Sequence, residues 1–233
     1  MTLFFRQLTR CFRSSSVSTL ATAAVKTPKT VNVVNSRPPR KKLHAIPAYV
    51  LVVDESGSTS SSMRMAFGRT TTRIKAIQLA AQGYLRHLRS SNQKQLVGVV
   101  GFSESSTLYH PLAPVGRAMP ALCRALQSLH PKSTTNLSAG LASALSQLRT
   151  AHTSRGNVVV ITDGAVNVET SRLPQLTQQA KSSRVRIFTI GVGNNGDSDY
   201  DRKLLTQLAR STGGRFMSAH SFKALCNALR RTC

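Results

Sequence analysis

The sequence predicts an α/β domain, a doubly wound and mostly parallel sheet flanked by helices, and three observations predict it. Apolar runs rich in β-branched residues recur at 49–53, 95–102, 157–162 and 185–192, without the apolar–polar alternation of a half-exposed strand. Segments with helical apolar spacing lie between them, which makes successive strand–helix–strand units with right-handed crossovers. The 233 residues suffice for one such domain and an appendage.

The chain is organised around residues 48–58, Ala-Tyr-Val-Leu-Val-Val-Asp-Glu-Ser-Gly-Ser. A buried strand here leaves the core and presents Asp54, Ser56 and Ser58, all hard oxygen donors, with Gly57 allowing the loop to bend between the serines. Such donors suit Mg²⁺ or Mn²⁺ rather than zinc, and one carboxylate requires partners from elsewhere. A helix is predicted over 69–90, with Ile74, Ile77, Ala81, Tyr84, Leu85 and Leu88 on one face. Arg69, Arg73, Arg86 and Arg89 fall off that face and read most simply as solvated. The second strand covers 95–102, and 107–110 adds an edge strand stopped by Pro111. Helices over 117–129 and 138–150 precede the strand 157–162, which ends at Asp163-Gly164. A helix over 173–183, the strand 185–192, a helix over 200–212, a strand over 215–218 and a helix over 221–231 complete the chain.

Charge is the unusual feature. The chain holds 32 Lys and Arg against 8 Asp and Glu, a formal net charge of +24. Nine of those bases and none of the acids lie in residues 1–53, which leaves 23 bases against 8 acids, a net +15, for the rest. Two readings stand: a polyanionic setting such as RNA or another polyanion, or a lineage of basic composition, since no RNA-binding motif accompanies the charge.

Residues 1–45 differ in kind, being rich in Ser, Thr, Arg, Lys and Pro. On a helix over 3–13, Arg6, Arg10 and Arg13 fall within about 60° of one another, opposite Phe4, Phe5, Leu8, Cys11 and Phe12. That pattern predicts a mitochondrial transit peptide, cleaved or retained, rather than a secretory signal; a disordered basic tail is the plainer reading. Residues 37–42, Arg-Pro-Pro-Arg-Lys-Lys, then form a linker or a polyanion-touching segment, and 46–233 the domain. Cys11, Cys123, Cys226 and Cys233 show no paired spacing, so reduced thiols, an intracellular compartment and no secretion are expected. No apolar run reaches the roughly 20 residues of a membrane span.

Ligands of doubly wound sheets sit at the carboxyl ends of strands near the reversal of strand order. Asp54 and Asp163 each end an apolar strand and belong on that edge. The loop Lys132-Ser133-Thr134-Thr135-Asn136 precedes a helix, where its polar groups either cap the helix or bind metal. Histidines 44, 87, 110, 130 and 152 are scattered and suggest no catalytic constellation. Gly191-Val192-Gly193-Asn194-Asn195-Gly196 follows a strand, yet Asp197, Asp199 and Asp201 behind it would repel phosphate; a solvated loop capping the next helix is expected.

In order and spacing, Asp54-Glu55-Ser56-Gly57-Ser58, Thr135-Asn136-Leu137 and residues 159–164 (Val-Val-Ile-Thr-Asp-Gly) resemble the von Willebrand factor type A domain family and its metal-ion-dependent adhesion site. The resemblance extends over roughly 46–231. It implies Ser56, Ser58 and Thr135 as hydroxyl ligands of Mg²⁺ or Mn²⁺, and Asp54 and Asp163 as carboxylates acting through bound waters. It leaves one coordination position for an Asp or Glu of a protein partner. The implied function is a non-enzymatic, metal-dependent interaction module, an adaptor in an intracellular multiprotein complex; the alternative is a basic RNA-associated scaffold. Glu55 occupies a variable, exposed position by this resemblance. Lys132-Ser133-Thr134 stands where many members have glycines, which leaves Thr134 a competing ligand.

Overall fold

The computed structural model describes residues 46–65, 68–151, 153, 155–164, 170–193 and 200–233. The predicted transit peptide, Cys11, His44, His152, Asp197, Asp199 and the 194–196 turn lie outside the described residues.

A six-stranded sheet forms the centre of the domain. It comprises β1 (Ala48–Asp54), β4 (Leu96–Phe102), β5 (Ser106–Pro114), β6 (Gly156–Thr162), β7 (Arg186–Val192) and β8 (Phe216–Ala219), in the spatial order β5-β4-β1-β6-β7-β8. Every pairing is parallel except that of β4 with β5. Strand order reverses about β1, whose neighbours are β4 on one side and β6 on the other, so the carboxyl end of β1 is where a binding site is expected.

All seven residues of β1 are buried, because helices cover both faces of the sheet. Tyr49, Leu51 and Val53 pack under α1 (Arg73–Ser91), α2 (Val115–Gln127) and α6 (Phe222–Arg230). Ala48, Val50 and Val52 face α3 (Leu137–Thr150), α4 (Leu173–Ser182) and α5 (Arg202–Ser211). The unalternating apolar runs of the sequence are thus two alternating sets, each with its own core.

Two elements depart from the sequence reading. The residues expected to open the first helix, from 69, instead form β3 (Thr70–Thr72), which pairs antiparallel with β2 (Ser62–Arg64). Three consecutive β-branched threonines favour extended backbone, and the hydroxyl of Thr72 then accepts from the Lys75 N–H as the cap of α1. The helix therefore begins at Arg73. The edge strand runs through Pro111 to Pro114, because an outer edge requires no N–H there and the register shifts around Val99 accommodate the ring. The thiols of Cys123, Cys226 and Cys233 are free, and no described helix is long and apolar enough to cross a membrane.

Candidate metal centre

Where β1 ends, Asp54 is fixed by the turn that follows it and by the neighbouring strand. Its Oδ1 accepts from the Ser56 N–H at 2.8 Å, and its Oδ2 accepts from the Thr162 hydroxyl at 2.5 Å. A single turn of 3₁₀ helix over Gly57–Ser60 brings Ser58 back beside Ser56, with 2.9 Å between their hydroxyl oxygens. Asp163 follows β6 directly: its Oδ1 accepts from the Ser58 hydroxyl at 2.7 Å and its Oδ2 from Arg73 Nη1 at 3.1 Å. Both carboxylates are fully buried.

The third segment arrives from the loop before α3. Asn136 resolves to a cap and a tether, accepting from the Ala139 N–H and donating to the Glu104 carbonyl. That leaves Thr135 facing the cluster. A Cβ built on Gly164 would stand 3.2 Å from Thr135 Oγ1, 3.3 Å from Ser58 Oγ and 3.4 Å from Ser56 Oγ. Three hydroxyls from two distant segments therefore converge on one small space, kept open by the absence of a side chain at residue 164. The Thr134 hydroxyl lies outside this set, buried and without a hydrogen-bond partner.

The electrostatics follow from this enclosure. Burial pushes the Asp54 carboxyl up to about 6, with the Asp163 charge adding to the effect and the Thr162 and Ser56 hydrogen bonds opposing it. Burial also raises Asp163, against the pull of the Ser58 hydroxyl and the Arg73 guanidinium. No group of three or more His, Cys, Asp or Glu able to hold a metal occurs among the described residues. The donors gathered here are hydroxyls backed by two carboxylates, and all are hard oxygens. The space and the donor set fit a small hard dication of the Mg²⁺ type.

Two residues behave differently from the sequence reading. Arg73 is not on a solvated face: the late start of α1 directs it inward, and it is 4% exposed against Asp163. Glu55 is not exposed but fully buried, and it staples the incoming loop. Its carboxylate accepts from the Tyr109 hydroxyl at 2.6 Å, Lys132 Nζ at 2.9 Å and the His130 N–H at 3.3 Å. Its carbonyl accepts from the Lys132 N–H, and the Gly57 N–H donates to the Ser133 carbonyl. Gly101 admits this carboxylate, since a Cβ there would collide with Glu55 Oε2. The signal available in the sequence was an acid spent where acids are scarce.

Elsewhere, Asp201 caps α5 as expected, accepting from the Leu204 N–H. Ser218 lies 2.7 Å from His220 Nε2 and 2.8 Å from the Tyr200 hydroxyl, an arrangement the scattered histidines did not suggest. The other ring nitrogen of His220 is buried without a hydrogen-bond partner.

A profile of the family described as von Willebrand factor type A domain matches residues 50–231. An uncharacterized protein of Borreliella burgdorferi is 24% identical over 157 residues, which span 58% of this chain and 45% of that one. Among solved structures, a von Willebrand factor type A protein from Catenulispora acidiphila superposes with a TM-score of 0.67 at 22% identity, covering 80% of this chain and 42% of that one. The PilB minor pilin from Streptococcus sanguinis gives 0.66 at 16% identity, covering 81% and 61%. The SpRpn10 VWA domain gives 0.64 at 15%, covering 80% and 95%. At these identities the likenesses speak for the fold, and the chain spans less than half the length of the curated relative. Profile, topology and the matched residues agree, and the chain belongs to the von Willebrand factor type A domain family.

Proposed function

We propose that the domain is a metal-dependent protein-interaction module that captures an Asp or Glu of a partner protein at the carboxyl end of β1. The observation that carries this reading is the convergence of Ser56, Ser58 and Thr135 on the space beside Gly164, with Asp54 and Asp163 behind them. The three hydroxyls would hold Mg²⁺ or Mn²⁺, and the carboxylates, held behind them by hydroxyl, amide and guanidinium donors, would act through water. The bound ion would supply an unneutralised positive charge to an incoming carboxylate.

Arg73 strengthens that charge. Two carboxylates, one guanidinium and a dication leave a formal +1, where the same site without Arg73 would be neutral. The arrangement favours the acidic ligand over the bare ion, so metal and ligand binding reinforce each other.

Gly164→Ala tests the reading, because its methyl group would fill the space between the hydroxyls while the backbone there has no left-handed φ to strain. Wild type is expected to bind Mn²⁺ by titration calorimetry and to retain a protein partner with Mg²⁺ but not with EDTA. Gly164→Ala should lose both and keep its metal-free melting temperature within about 5 °C. Undiminished Mn²⁺ binding by the variant would overturn the assignment.

We propose separately, from the arginine stripe and missing acids in residues 1–45, that the protein is intracellular and directed to mitochondria. Fused to a fluorescent reporter, residues 1–45 are expected to carry it to mitochondria; a diffuse cytosolic signal would refute the placement.

A further inference from the structure

Away from the metal centre, basic side chains line a groove along α5 and β8. Arg202, Thr206 and Arg210 follow one another at four-residue spacing, a single stripe about 12 Å long on the helix. With Gly214, Arg215 and Phe216 they line an open cavity of about 490 Å³, and Lys203 and Gln207 border the stripe on its other side. Arg202, Lys203, Arg210 and Arg215 are exposed, and none forms an ion pair among the described residues. The Arg202 guanidinium lies over the Phe216 ring, 5.5 Å from its centroid. The nearby Asp201 turns Oδ1 to its own helix, capping α5 through the Leu204 N–H. β8 is an edge strand, so the groove opens at the rim of the sheet.

We propose that this groove binds single-stranded nucleic acid. Guanidinium forks bind phosphate oxygens in pairs, and Arg202, Arg210 and Arg215 present three of them to one path. The Arg202–Phe216 stack offers a flat cationic platform for an unpaired base, which a duplex would not expose. Thr206 and Gln207 supply polar groups for sugar hydroxyls. An anionic membrane fits less well, because insertion needs exposed apolar side chains. The large ones exposed among the described residues, Ile46, Leu79 and Leu108, do not line the groove. The groove shares no residue with the metal centre, so it works independently of the ion.

The test compares two charge-matched variants of the full chain. Arg202→Gln/Arg210→Gln/Arg215→Gln strips the groove. Arg86→Gln/Arg89→Gln/Lys94→Gln removes the same charge from exposed positions on and just after α1, which packs on the other face of the sheet. Binding of a fluorescein-labelled single-stranded RNA of about 20 nucleotides is read by anisotropy across a salt series. The groove variant is expected to bind at least tenfold more weakly. Its log–log salt slope should fall by about 2, at roughly 0.7 for each phosphate that an arginine no longer neutralises. The α1 variant should stay within about twofold of wild type, and EDTA should change nothing. Equal losses in the two variants would show diffuse charge and overturn the proposal. So would unchanged RNA binding by the groove variant, or a loss seen only with phosphatidylserine vesicles.

Discussion

Replacing Asp54 with Asn is expected to stabilise the metal-free protein at pH 7 by about 3 kcal/mol and to abolish its response to Mg²⁺. The folded-state value of about 6 stands above the ordinary 3.8 because the carboxyl is buried. A raised value means that the folded protein holds this proton more tightly than the unfolded chain does. The resulting stability is fully present below pH 4 and is lost as pH rises through 6. Above that, wild type carries an ionised carboxylate in a buried site, at a cost of roughly 1.4 kcal/mol for each unit of displacement. Asn has nothing to ionise, and the Thr162 hydroxyl can reverse its role to accept from the new amide. In EDTA the gap in melting temperature between variant and wild type should open between pH 4 and 7, reaching several degrees. The two proteins share every other titrating group, so the gap reports Asp54 together with its charge coupling to Asp163. Excess Mg²⁺ should narrow or invert it at pH 7, since only wild type has the charge that the ion relieves. A gap independent of pH, or equal stabilisation of both proteins by Mg²⁺, would sink the argument.

The order of elements and the place of the candidate site at the strand ends were legible because they rest on patterns that tertiary context seldom overrides. A doubly covered strand shows as an uninterrupted apolar run, and its polar successor marks the strand end that faces a ligand. Asp54, Ser56, Ser58 and Asp163 are all of this kind, adjacent in sequence to the strand that places them. Thr135 against Thr134 was not legible. One residue of shift along a loop turns a side chain in a new direction, and hydrogen bonds from Asn136 to Ser103 and Glu104 set that direction. Arg73 was missed because its inward turn depends on where α1 starts, which the Thr70–Thr72 strand delays. Glu55 was missed for a related reason: a charged residue reads as exposed unless its partners are known, and Tyr109, His130 and Lys132 lie 54, 75 and 77 residues away.

Glu55 and Lys132 should prove strongly coupled, with consequences for the metal centre they do not touch. Glu55→Ala strands the Tyr109 hydroxyl and the His130 N–H and opens a cavity, for an expected loss of about 3 kcal/mol. Lys132→Ala leaves a fully buried carboxylate held by neutral donors alone, at a similar expected loss. The double variant removes both charges and should cost less than the two single losses together, by about 1–3 kcal/mol, measurable as a coupling energy in urea unfolding. Lys132 keeps 28% of its side chain exposed and can turn to water when Glu55 is gone, which places the coupling below that of a wholly enclosed pair. The backbone bonds from Lys132 to Glu55 and from Gly57 to Ser133 tie the loop carrying Thr135 to the loop carrying Ser56 and Ser58. Loosening that tie lets one of the three hydroxyls drift, so each single variant should also lose most of its stabilisation by Mg²⁺. Strict additivity together with an undiminished Mg²⁺ response would show instead that Asn136 alone positions Thr135.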